Sequence, residues 1–273
     1  MTTPTPITAF DEDGVRFIDS VTDLWTITVL DDGRLRAGAN VGGAVHVFGL
    51  TASGAPDQSF HGGTPFVYDT ADGDYVEEIV LRADGSLLVA GATAAASGDQ
   101  GLVIALDASG EPLGSFGGGD GVTTVRPNDN AFWANDVLAL ADGRVLVGGT
   151  SGVAALDAAG VETFFGLDGY LVVDGHDVKD MLVVDGRLHM LVQRSGVDTI
   201  TVAFLDGLID RSFGVNGSAE LTPTSGTTNL AELVATADAL VAVGNVAIGG
   251  GFDAWMMGCL LYTSPSPRDR TRS

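Results

Sequence analysis

Apolar residues along this chain fall into runs of five or six, separated by short polar turns, and no stretch keeps the 3.6-residue spacing of a long helix. One unit recurs. Two apolar runs flank an Asp-Gly turn in "TITVLDDGRLRAGA", "EIVLRADGSLLVAGAT", "DVLALADGRVLVGGT" and "DMLVVDGRLHMLV", and a fifth copy, "LVATADALVAVGN", has Ala239 in place of the glycine. The glycines Gly33, Gly85, Gly143 and Gly186 accept the positive φ of a tight hairpin, so each unit opens with two antiparallel strands. The small residues that end several second runs (Gly38, Gly91, Gly149) predict strands converging on a crowded central axis. On that reading the innermost strands carry apolar or small residues and no carboxylate.

The second half of each unit runs through "VFGLTASG", "VIALDASG", "VAALDAAG" or "VAFLDGLID" to a phenylalanine turn and another strand. Phe10, Phe60, Phe116, Phe165 and Phe213 mark this turn, about fifty residues apart. Four short strands per period predict an all-β fold, a β-propeller of four-stranded antiparallel blades, with the phenylalanines plugging the space between neighbouring sheets. About five blades are expected, four complete and one shared or partial. The propeller domain covers 1–258, with repeats near 21–74, 75–132, 133–178, 179–230 and 231–258. Residues 10–19 read as an outer strand without partners before it, suited to completing the fifth sheet near Asp253–Met257.

At "IDRSFGVNG" (209–217), "EPLGSFGGGDGV" (111–122) and "LRADGSLLVAGAT" the chain resembles the delta-60 repeat, a bacterial repeat family of propeller-like folds. "APDQSF" (55–60) matches more loosely, "VETFFGLDGYLVV" lacks the aspartate and serine before its phenylalanine, and "HMLVQRSG" lacks the small-residue ending. The resemblance covers most of residues 10 to 258 and brings no catalytic residues with it. It implies an extracellular or cell-surface location, although "MTTPTPITAF" lacks the basic and apolar segments of a signal peptide.

Composition narrows the partners. The chain has 36 acidic against 13 basic residues, a formal charge of −23, and Lys179 is its only lysine. Such a field repels nucleic acid and anionic lipid and favours cationic partners. No apolar run is long enough to cross a membrane as a helix, so membrane insertion is not expected. A monomer that binds a protein or a carbohydrate is. Residues 259–273, "CLLYTSPSPRDRTRS", break the repeat phase and resemble a translated sequencing adapter, so they read as a non-native disordered tail. They contain the only cysteine, which leaves cysteine catalysis and thiolate metal sites without a residue.

Candidate chemistry is sparse. The chain has no phosphate-binding loop and no nucleophile elbow, and its four histidines lie in different repeats. "GHDVKD" sets His176 beside Asp177 and Asp180, either an acidic cluster or a surface loop. Asp11 and Asp13, then Asp69, Asp72 and Asp74, and Asp120, have loop spacings suited to calcium; hydrated turns are the other reading, and no further cofactor is expected. Three functions stay open. The first is a non-enzymatic secreted or surface scaffold presenting loops for protein or carbohydrate binding. The second is a glycan hydrolase or lyase with carboxylates at the central channel, and the third is a purely structural display module.

Overall fold

The computed structural model describes residues 18, 21, 23–70, 72–167, 169–173, 176–193, 197–222, 226–248 and 251–260. The apolar runs become antiparallel strands gathered into five sheets. Blade 1 holds β1 (Asp23–Val29), β2 (Leu35–Val41), β3 (Ala44–Leu50) and β4 (Phe66–Tyr68). Blade 2 holds β5 (Asp74–Leu81), β6 (Leu87–Thr93), β7 (Gln100–Leu106) and β8 (Val122–Val125). In blade 3, β9 (Ala134–Ala139), β10 (Val145–Gly149) and β11 (Gly152–Leu156) precede two short outer strands, β12 (Glu162–Thr163) and β13 (Leu171–Val172), which both pair with β11. Blade 4 holds β14 (Asp177–Val184), β15 (Arg187–Gln193), β16 (Asp198–Phe204) and β17 (Ser218–Leu221). Blade 5 comprises β18 (Thr227–Ala235), β19 (Ala239–Ile248) and β20 (Gly251–Leu260).

The first strand of each blade packs against the first strand of the next, β1 on β5, β5 on β9, β9 on β14 and β14 on β18. The molecule is a five-bladed β-propeller with these five strands around its axis. Among the described residues no comparable contact joins β18 back to β1. The outer strand read at 10–19, with Phe10, lies outside the described residues except for Ile18. The last strand, β20, runs through Cys259 and Leu260, which pair with Leu240 and Ala239, two residues past the boundary placed at 258.

The repeated motifs now have physical roles. Gly33, Gly85, Gly143 and Gly186 sit at φ between 71° and 91°, in the Asp-Gly turns joining first and second strands. Phe60, Phe116 and Phe165 are fully buried, and a side chain added to Gly110, Gly160 or Gly207 in the following blade would collide with them. Phe213 is half-buried in the apolar cluster shared with blade 5. The aspartate three residues before the phenylalanine organises its loop in blades 1 and 4: Asp57 and Asp210 each accept the amide and hydroxyl of the serine two residues on. Both also pair with arginines entering the second strand. Arg36 Nη2 lies 3.0 Å from Asp57 Oδ2 with its guanidinium over the Phe60 ring, and Arg187 Nε lies 2.9 Å from Asp210 Oδ2.

The small residues ending the second runs do not line the axis. They lie on the second strands, opposite a β-bulge that interrupts every first strand. A side chain on Gly91 would meet the Tyr75 carbonyl at 1.8 Å, and one on Gly149 would meet the Trp133 carbonyl at 2.1 Å. Glycine is required because the bulged strand swings its backbone across the face of its neighbour.

Candidate functional site: a carboxylate ring in the channel

The bulge occurs once per blade at one register. The residues skipped by the pairing are Trp25, Glu77, Asn135, Lys179 and Ala231. A bulge breaks strand alternation, so the side chains buried between blades are spaced three apart rather than two: Val76 and Ile79, Ala134 and Val137, Val178 and Met181, Leu230 and Leu233. The two positions between each pair turn away from that packing. The second of them is Thr26, Glu78, Asp136, Asp180 or Glu232 in successive blades. Four carboxylates therefore ring the channel, where the sequence reading expects none. Period-two reading of "DYVEEIVL", "ANDVLA", "DVKDMLVV" and "TTNLAELVA" hides them, because the bulge shifts the phase within each strand.

Part of this ring serves the fold. Thr26 Oγ1 accepts the Ile79 amide of the next blade at 3.2 Å and donates to Glu78 Oε1 at 3.1 Å. Asp180 Oδ1 accepts the Met181 amide at 2.7 Å, and its Oδ2 accepts the Leu233 amide of blade 5 at 2.5 Å. Asn135 Nδ2 donates to the Val178 carbonyl at 2.8 Å. The amide after the bulge is thus satisfied by the ring residue of the preceding blade at Ile79 and Leu233, and by the ring residue of its own strand at Val137 and Met181.

Asp136 is different. It is only 6% exposed; its Oδ1 accepts the Val137 amide at 2.6 Å, while its Oδ2, fully buried, has no hydrogen-bond partner. Burial pushes this carboxyl well above the ordinary aspartate range, and the charges of Asp180 and Glu78 push it further. Burial likewise raises Asp180, whose carboxyl faces that of Asp136, and Glu78. The charge on Asp180 therefore disfavours ionisation of Asp136.

A cleft of about 350 Å³ opens over the ring, lined by Glu78, Asn135, Asp136, Lys179, Asp180 and Glu232, with Val80 and Leu138 beneath. Lys179 Nζ stands 3.8 Å from Asp177 Oδ2, so the cleft has four acids and one amine. Where β5 begins and just before β9, the Tyr75 and Trp133 rings lie 5.0 Å apart, and Trp133 Nε1 donates to Glu77 at 2.9 Å. Burial raises Glu77 as well.

Of the residues singled out in the sequence, Asp180 alone belongs to this cleft, and Asp177 reaches it through Lys179. Asp11 and Asp13 lie outside the described residues. Asp69, Asp72 and Asp74 lie between β4 and the start of β5, where the buried Asp74 carboxylate accepts the Thr70 amide and hydroxyl. Asp120 Oδ1 accepts the Val122 amide in the loop before β8. Among the described residues no three His, Cys, Asp or Glu side chains are arranged to hold a metal ion, and no helix is long and apolar enough to cross a membrane.

No family model and no curated protein matches this sequence. Solved structures do. A protein of unknown function from Bacteroides caccae superposes with a TM-score of 0.52 at 13% identity, over 81% of this chain and 70% of that one. The Dos1 propeller superposes equally well, with a TM-score of 0.52 at 13% identity over 81% of this chain and 52% of its own. A streptogramin B lyase follows at 0.50 and 11% identity, over 93% and 73%. At these identities the likeness is one of fold.

Proposed function

We propose that this propeller is a non-enzymatic binding scaffold, secreted or at the cell surface, that holds a protein segment or a carbohydrate at the mouth of its channel. The observation that carries this reading is the cleft of about 350 Å³ on the inner strands, lined by polar side chains from four blades. The resemblance to delta-60 repeats supports the location. A hydrolase would need two carboxyl groups free to act as acid and base. In this ring Asp180 spends both oxygens, and Asp136 and Glu78 one each, on hydrogen bonds that hold the blades, which favours binding over catalysis.

Peptide and oligosaccharide arrays probed with the purified chain test the proposal. Ligands found this way are expected to lose affinity about tenfold when Asn135 and Glu232 are changed to Ala and Gln, a loss typical of side chains central to an interface. Phe164→Ala, an exposed residue away from the channel cleft, should leave them unchanged. Binding that ignores the channel substitutions would overturn the assignment of the site.

A further inference from the structure

The cleft has a property that narrows its ligand. Four carboxylates from four blades share it with one ammonium, and one of those carboxyls, Asp136, is more than nine-tenths buried with an oxygen that meets no donor. A buried acceptor without a donor costs about 1–3 kcal/mol, and a repeat scaffold has a simple way to avoid it, since blade 1 places Thr26 at the equivalent position. A bare metal ion does not fit: among the described residues no three acidic side chains are arranged to hold one, and Asp180 already accepts the Met181 and Leu233 amides. A cation that donates hydrogen bonds fits better, because its N–H groups reach out to acceptors set apart around a wall.

We infer that the cleft binds an organic cation, the ammonium or guanidinium head of a basic side chain, through Glu78, Asp180 and Glu232, with Asp136 behind them as a buried counter-charge. This rests on the binding reading given above and assigns its ligand class. An incoming cation supplies the positive charge that stabilises the ionised form of Asp136, so binding and ionisation of that carboxyl favour one another. The charged groups facing Asp136 are Glu78 on β5, Lys179 and Asp180 on β14 and Glu232 on β18, so its titration is set inside the cleft.

The test is calorimetric titration of the intact chain with Nα-acetyl-lysine methylamide and, separately, Nα-acetyl-arginine methylamide, in two buffers of different ionisation enthalpy. Binding of either probe with release of protons is expected, with affinity rising with pH, by at most about tenfold per unit, where the raised carboxyls titrate. Asp136→Asn should abolish the proton release and flatten the pH dependence. Glu232→Gln, on the exposed side of the ring, should weaken binding at every pH and keeps the test valid if the Asp136 variant does not fold. The two probes separate an ammonium from a guanidinium preference, and either result upholds the inference. Failure of both probes, or binding without proton release and indifferent to Glu232→Gln, overturns it. A neutral saccharide that still binds, and is lost with the Asn135 and Glu232 changes, would then leave the scaffold reading standing and this one refuted.

Discussion

Asp136 shows how much one carboxyl can set. Because burial raises Asp136, Asp180 and Glu78, the folded protein holds protons on these groups to higher pH than the unfolded chain does. The stability these groups contribute is full below the ordinary carboxylate range and is lost as pH climbs through their raised values. On the acid side Asp107 and Asp210, held low by hydrogen bonds from Ser109 and Ser212, lose their contribution as pH falls through their lowered values. Thermal unfolding should therefore show its highest midpoint in mildly acidic solution and decline toward pH 8. Asp136→Asn should remove much of that decline, raising the midpoint at pH 8 by about 2–4 °C for each kcal/mol recovered in a chain of this size. A midpoint that does not fall as pH rises above the ordinary carboxylate range in the parent protein would contradict the raised values of these buried carboxyls.

At the scale of the element, the inner strand with its bulge is the unit that repeats. Gly91→Ala places a methyl group against the Tyr75 carbonyl and should cost about 1–3 kcal/mol or more, measured by urea unfolding. The same change at Gly186, where added atoms meet nothing, should act only through its φ of 71°. The hairpins, the four-strand sheets and the blade count were legible in the sequence because Asp-Gly turns and short apolar runs report them directly. The channel carboxylates were not. Glu78, Asp136, Asp180 and Glu232 sit in strands whose buried positions are three apart, and a bulge leaves no composition signal beyond the glycine on the neighbouring strand. That glycine was visible at Gly91 and Gly149, but it reports the approach of a bulged backbone and was taken for the narrowing of the ring. The signal that finds the ring is the second of the two residues between paired apolar positions, aligned across repeats rather than along one strand.

At the scale of the whole molecule, four interfaces between blades are formed, and the faces at the two ends of the series have no matching interface among the described residues. Leu24 and Ile27 are 52% and 54% exposed, although their counterparts in every later blade are buried; at the other end Met256 is 74% exposed where blades 1 to 4 place buried Val47, Val103, Val153 and Ile200. Stability should follow this asymmetry. Ile79→Ala is expected to cost about 2–5 kcal/mol, whereas Ile27→Ala should stay within about 0.5 kcal/mol; equal losses in denaturant titrations would mean that blade 1 is covered in solution. Within the four closed interfaces the bulge divides the labour of each inner strand. Residues on either side of it are committed to packing and are all apolar from blade 2 onward, whereas the skipped positions hold an indole, a carboxylate, an amide, an amine and a methyl group. The channel mouth is thus an alphabet of five independent letters written on an invariant frame, and its recognition can be respelled one letter at a time without unfolding the word.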